Sequence, residues 1–352
     1  MPATPLTYDE VRRAVQRQGN LPRIPLFWHK FYNQGTLDKY GDALQQLSAE
    51  VVDDCVSLHY VAPGNYHAPE GCPEDYRWAI EPEPPGWAER GITSRLVVSS
   101  TDLIDAFIDQ LPDPSADRYF EAVRVATAAT PGRYRVGWDF FCLFERAWFL
   151  FGMENILAEM ALNPARIKRL LWAFTEYHKR VATGYADAGA HAYFTSDDLG
   201  TQVTTIFSPA LFRSLFKPCY AELARHCHDL GLSFWLHCCG AATDLMDDFI
   251  DMGVDVLHPV QPHAMDQAGI AATYAGRLTF LAGIDVQYLL PAGSEQDVVR
   301  GTRKLVDTFD REAGGCLLAA SNGIMPETPL GNIRAWLKTA EAYGAEKRRS
   351  YG

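Results

Sequence analysis

The chain has 352 residues, of which 47% are hydrophobic, 22% charged and 12% aromatic, a balance that excludes collagen-like, low-complexity and disordered polymers. Its 32 basic residues against 44 acidic ones give a net charge of −12, without the cation clusters that nucleic-acid binding requires. No run approaches the roughly 18 consecutive apolar residues of a membrane span. The N-terminal MPATPLTYDEVRRAVQRQ has no basic segment leading into an apolar one, so a cytoplasmic protein with no membrane partner is expected. The eight cysteines (Cys55, Cys72, Cys142, Cys219, Cys227, Cys238, Cys239 and Cys316) are too dilute for a disulfide framework and are expected to be reduced.

In chain order, a first helix is expected over 7–18, then a strand in RIPLFWH (23–29) and another in VSLHYV (56–61). Residues 63–100 break the rhythm, with Pro69, Pro73, Pro82, Pro84 and Pro85 and the β-like TSRLVVSS (93–100). They read as an elaborated, hairpin-bearing loop after the second strand. RYRVGWDFF (133–141) reads as a third strand, ahead of helices near 145–163 and 165–187. Short apolar runs at 192–196, 233–237, 255–259, 279–284 and 316–321 then read as buried parallel strands. Helical patterns alternate with them over 208–230, 241–252, 264–275, 294–312 and 330–346. Two of these helices have clear starts: Ser208 precedes Pro209, and Ser294 has Gln296 and Asp297 in its first turn. Eight strands, each followed by a helix, predict an α/β protein, one (β/α)8 TIM barrel spanning 1–352 as a single domain. The competing open doubly wound sheet lacks its glycine fingerprint here.

A barrel of this kind builds its site at the carboxyl ends of its strands. The expected strands end in Trp28-His29, Trp138-Asp139, Ser196-Asp197-Asp198, His237-Cys238-Cys239, His258, Asp285 and Ser321-Asn322, with Gln261 just beyond His258. In His237-x-Cys239, residues i and i+2 of a strand point to one side, so imidazole and thiolate could meet on one ion, and that donor pair favours zinc. The bland alternative is a hydrogen-bonded histidine beside buried cysteines. Trp28, Phe31, Tyr32, Trp138, Phe140 and Phe141 either pack under the long loop or line the mouth, where they would suit an aromatic ring or a flat macrocycle. Asp197 and Asp198 are adjacent, so only one faces the pocket. Asp198 is read as a metal ligand or general base, against a capping role for both. His29 and His258 are proton-transfer candidates, and Gln261 and Asp285 pocket hydrogen-bonders, with purely structural roles as the alternatives.

FTSDDLGTQ (194–202), SPALFRSLFKPCYAELARHCHDLGL (208–232), LHCCGAATDLMDDFIDMGVDVLHPVQ (236–261), LAGIDVQYLLPAG (281–293) and GIMPETPLGNI (323–333) together resemble the uroporphyrinogen decarboxylase superfamily. They resemble most its corrinoid-dependent, cobalamin-linked methyltransferase branch, and the resemblance implies a (β/α)8 barrel. FWHKFYNQG (27–35) lacks the arginines with which the decarboxylases hold their poly-acid substrate, so porphyrinogen decarboxylation is not expected. The methyltransferase branch holds zinc by His-x-Cys, matched by His237 and Cys239, and by a later cysteine whose place is taken here by Asn322. Cys316 lies about six residues upstream, roughly 20 Å at strand rise, and cannot replace it. Asp198 or Glu145 is then the third ligand, or the metal has been lost.

The resemblance implies methyl transfer between a small methylated substrate, such as a methoxylated aromatic, and a corrinoid (cobalamin) carried by a partner protein, with zinc-assisted activation. In this reading Asp198, His29 and His258 handle protons, while Trp28, Tyr32, Trp138, Phe140, Gln261, Asp285 and Asn322 shape the substrate site. The alternatives are a metal-free decarboxylase-like lyase acting on a smaller acid, and a binding module that has lost catalysis. The sequence leaves oligomeric state open, with a dimer among the assemblies allowed.

Overall fold

The computed structural model describes residues 4–84 and 96–351. Seven parallel strands form one sheet in strict chain order: β1 Cys55–His59, β2 Tyr134–Asp139, β3 Ala192–Ser196, β4 Ser233–His237, β5 Val256–His258, β6 Thr279–Ile284 and β7 Cys316–Ala320. Helices separate consecutive strands, which gives a TIM-barrel-like α/β fold. Every residue of β3, β5, β6 and β7 is buried, which explains why these strands read as unbroken apolar runs rather than alternating ones.

The segment expected as the first strand, 23–29, is reduced to a single bridge between Leu26 and Leu318 of β7. Pro22 and Pro25 have no backbone N–H to contribute, and beyond Trp28 the chain turns into a short 3₁₀ helix, His29–Phe31. Even so, this segment touches both edges of the sheet. Pro25 O accepts from Leu318 N and Phe27 N donates to Leu318 O (both 2.9 Å), while Leu26 O accepts from Asp54 N just before β1 at 2.8 Å. The buried Asp54 carboxylate fixes it in place by accepting from Leu6 N, Leu26 N and the Arg23 guanidinium.

Helices follow the sequence pattern with instructive exceptions. The first, Tyr8–Val15, starts with a capping box between Thr7 and Glu10. Ser208 caps Pro209–Leu215, but Pro218 begins a new helix, Lys217–Asp229, so the continuous 208–230 pattern is broken in two. Ser294 and Asp297 form the capping box of Glu295–Phe309. A helix over Gln34–Glu50 was not expected from the sequence, because it buries only Thr36, Leu44 and Leu47 and its apolar stripe is too narrow to stand out. In the 63–100 loop, residues 85–95 lie outside the described part, including the start of the β-like 93–100 stretch. The described remainder contains one isolated bridge, Gly64 to Arg77, and no strand. No helix of the described residues is long and apolar enough to cross a membrane.

Candidate metal centre at the strand ends

Sheet register builds the centre. Ser196 is the Cα partner of His237, and His237 is the Cα partner of His258, so the last residues of β3, β4 and β5 stand in one row. Immediately beyond them, Asp198, His237 and Cys239 bring one carboxylate oxygen, one imidazole nitrogen and one sulfur within 4.8 Å of one another. His237 Nε2 lies 3.2 Å from Cys239 Sγ and 3.5 Å from Asp198 Oδ1. Three such ligands on a tetrahedral zinc, with bond lengths of about 2.0–2.3 Å, would be separated by about 3.4–3.6 Å. The donor set suits zinc, the two separations from His237 lie close to that range, and Cys239 and Asp198 lie within 4.8 Å of each other.

The proton positions fit as well. His258 Nε2 is 2.8 Å from Ala320 O, and a carbonyl can only accept, so this nitrogen carries the proton. Burial above all, helped by the nearby Lys30 charge, holds His258 well below the ordinary histidine range, so it is neutral and its Nδ1 is bare. His237 Nδ1, 2.6 Å away, must be the donor to it. His237 is also shifted towards neutrality, chiefly by burial, and that leaves its Nε2 lone pair directed at the other two ligands. Burial and the Asp198 charge push the Cys239 thiol up, so its thiolate needs a cation nearby.

Asp198 is held over Cys239 by two devices. Its Oδ1 accepts the Cys239 backbone N–H at 2.8 Å. The loops after β3 and β4 also meet backbone to backbone: Ala241 N donates to Thr201 O at 2.7 Å. A Cβ on Gly240 (φ +85°) would lie 2.2 Å from Gly200 O, so only glycine permits this approach. The neighbouring Asp197 faces the other way and is fully buried. It accepts from the backbone N–H groups of Leu143, Phe144 and Glu145 and from the Tyr220 hydroxyl, thereby capping the helix Phe144–Phe151. Burial pushes it up to about 6 against those four donors.

The remaining sequence candidates separate clearly. Glu145 is not part of the converging group; its carboxylate accepts from Ser196 Oγ at 2.6 Å, and burial beside Asp198 and Asp197 pushes it well up. Asn322 does reach the centre, with Nδ2 3.4 Å from Cys239 Sγ and Oδ1 taken by Gly323 N. Gln261 Oε1 accepts Gly240 N–H at 2.8 Å and so braces the Cys239 turn. Asp285 caps its own turn through Gln287 N, Tyr288 N and Leu289 N, and pairs with His263 at 3.1 Å. His29 is exposed, with Nδ1 3.3 Å from Ser48 Oγ, and makes no contact with the three ligands.

Trp28 is fully buried and Tyr32 nearly so, packed edge to face on each other. Trp138 is buried against Phe194, and only Phe140 of these aromatics is substantially exposed, at 45%. Lys30 was not picked out by the sequence reading. Its ammonium lies over the Trp138 ring, 2.7 Å from the centroid, and 4.2 Å from that of Phe140. The only sequence signal for it is a lone cation in an aromatic run.

The family model for uroporphyrinogen decarboxylase (URO-D) matches residues 96–343, and the chain belongs to that family. A methyltransferase from Methanosarcina mazei shares the fold, with a TM-score of 0.65 at 16% identity over 96% of this chain and 99% of that one. A B12-independent methionine synthase from Shewanella sp. W3-18-1 aligns over 68% of each chain at 13% identity, with a TM-score of 0.45. No curated protein matches the sequence.

Proposed function

We propose that the protein is a methyltransferase that moves a methyl group between a small methylated substrate, such as a methoxylated aromatic, and a corrinoid carried by a separate protein. Zinc would be held by His237, Cys239 and Asp198. The observation that carries this reading is the convergence of those three ligand atoms, with the His237 lone pair already directed at the other two. The fold shared with a methyltransferase supports it further.

Zinc bound there would supply Lewis-acid polarisation of the substrate heteroatom, while the methyl-carrying chemistry belongs to the corrinoid. The chain's own residues do the rest. His258 fixes the tautomer and orientation of His237. The amide of Asn322 donates towards Cys239 Sγ and so favours its thiolate. Asp198, with its side chain 39% exposed, is the ligand nearest to solvent and the group able to take or return a proton at the mouth.

Elemental analysis of protein purified without chelator should find about one zinc per chain, lost in His237→Ala. The same preparation should transfer methyl groups with free methylcobalamin as partner. Zinc-free native protein that releases carbon dioxide from a small acid without any corrinoid would overturn the proposal in favour of a lyase.

A further inference from the structure

Lys30 stands out among the groups that the proposed reaction leaves unused. It sits in the 3₁₀ turn His29–Phe31 and reaches the end of β2 at Trp138. Its charge adds to burial in lowering His59, the last residue of β1. Burial holds the ammonium well below the usual lysine range, yet among the described residues no carboxylate forms an ion pair with it and none acts to raise it. Its neighbours are the faces of Trp138 and Phe140. A cation–π contact offsets only part of the cost of desolvating an ammonium, and a matching anion would offset much of the rest.

The charge balance of the centre points the same way. Asp198 is engaged by the Cys239 backbone N–H and by His237. Asp197 and Glu145 are engaged by their own donors. Lys30 is then the cation left over at this face. Beside it, the half-exposed Phe140 ring offers an apolar surface.

We propose that Lys30 is the anion-recognition residue of the site, and that the methylated substrate is a small carboxylic acid whose carboxylate pairs with the Lys30 ammonium while its apolar body lies on Phe140. This deepens the methyltransferase reading and rests on it for the word "substrate". The recognition itself requires neither corrinoid nor zinc. An ammonium–carboxylate pair in a partly dewatered site is a charge-assisted hydrogen bond, and a neutral amide of the same shape cannot replace it.

Calorimetric titration of the full chain with 4-methoxybenzoate and with its neutral isostere 4-methoxybenzamide tests the assignment. The wild-type protein should bind the acid about 10- to 100-fold more tightly than the amide. Lys30→Met should bind the two alike, and Lys30→Arg should keep most of the preference, with thermal unfolding confirming that both variants fold. Equal binding of acid and amide to the wild type, an undiminished acid preference in Lys30→Met, or no binding of either probe would overturn the proposal. Repeating the titration on chelator-stripped protein separates the two readings. Acid preference that persists in a protein without methyl transfer leaves Lys30 assigned and removes only the reaction.

Discussion

His237 Nδ1 donates to His258 Nδ1 across 2.6 Å, and the direction of that bond is set from the far side by the Ala320 carbonyl. A backbone oxygen of β7 thus decides which nitrogen of a β4 side chain is free to bind a metal. The relay crosses three strand ends and involves no charged group.

Removing the middle of this relay should weaken metal binding without touching a ligand. His258→Leu should lower zinc affinity by about 10- to 100-fold, the usual effect of losing a ligand's orienting partner. Competition with a chromogenic chelator measures it, and unchanged affinity would show that His237 needs no orientation by His258.

Asn322 places its amide 3.4 Å from Cys239 Sγ, so a cysteine there would bring a second sulfur to the centre. Asn322→Cys should bind zinc at least tenfold more tightly than the wild type. Asp198→Asn should lose it, and Glu145→Gln should keep it, since Glu145 bonds Ser196 instead. Zinc loss in Glu145→Gln with retention in Asp198→Asn would exchange their roles.

Asp197 should matter for stability first. Asp197→Ala leaves three backbone donors at the start of Phe144–Phe151 and the Tyr220 hydroxyl without their acceptor in the interior. A loss of about 3–5 kcal/mol is expected, read by chemical denaturation of the metal-free protein. A loss below about 1 kcal/mol would mean that water or another group takes over those donors.

Stability should also depend on pH through Asp139, at the end of β2. It is buried, with Arg146 at 3.7 Å and the neutral His178 at 3.4 Å, and burial pushes it up to about 7. The folded-state value lies above the unfolded one, so the folded chain holds a proton that the unfolded chain has released between about pH 4 and 7. The stabilisation from protonated Asp139 is complete below about pH 4 and lost as pH rises through 7. Asp139→Asn cannot titrate. Its melting temperature relative to wild type should therefore rise steadily from pH 4.5 to 7.5, and a constant difference would refute the assignment.

Local sequence determined much of this protein. Apolar runs with no alternation marked the strands buried on both faces, and Ser208, Ser294 and Asp297 marked two helix starts, because periodicity and capping act over a few residues. His237 and Cys239 could be paired from i, i+2 geometry alone, since both lie at one strand end. The adjacency of Asp197 and Asp198 implied that they face apart, but which of them faced the pocket was not legible.

Tertiary structure decided the rest. That choice was made by the Gly200–Gly240 approach and by a helix N-terminus 54 residues upstream of Asp197 in the chain. His258 became the orienting partner of His237 because inter-strand register made them Cα partners, and register arises from hydrogen bonding between segments 21 residues apart. Lys30 was invisible for the same reason. A lysine's role depends on whether a carboxylate comes near it, and here folding brought two aromatic rings instead.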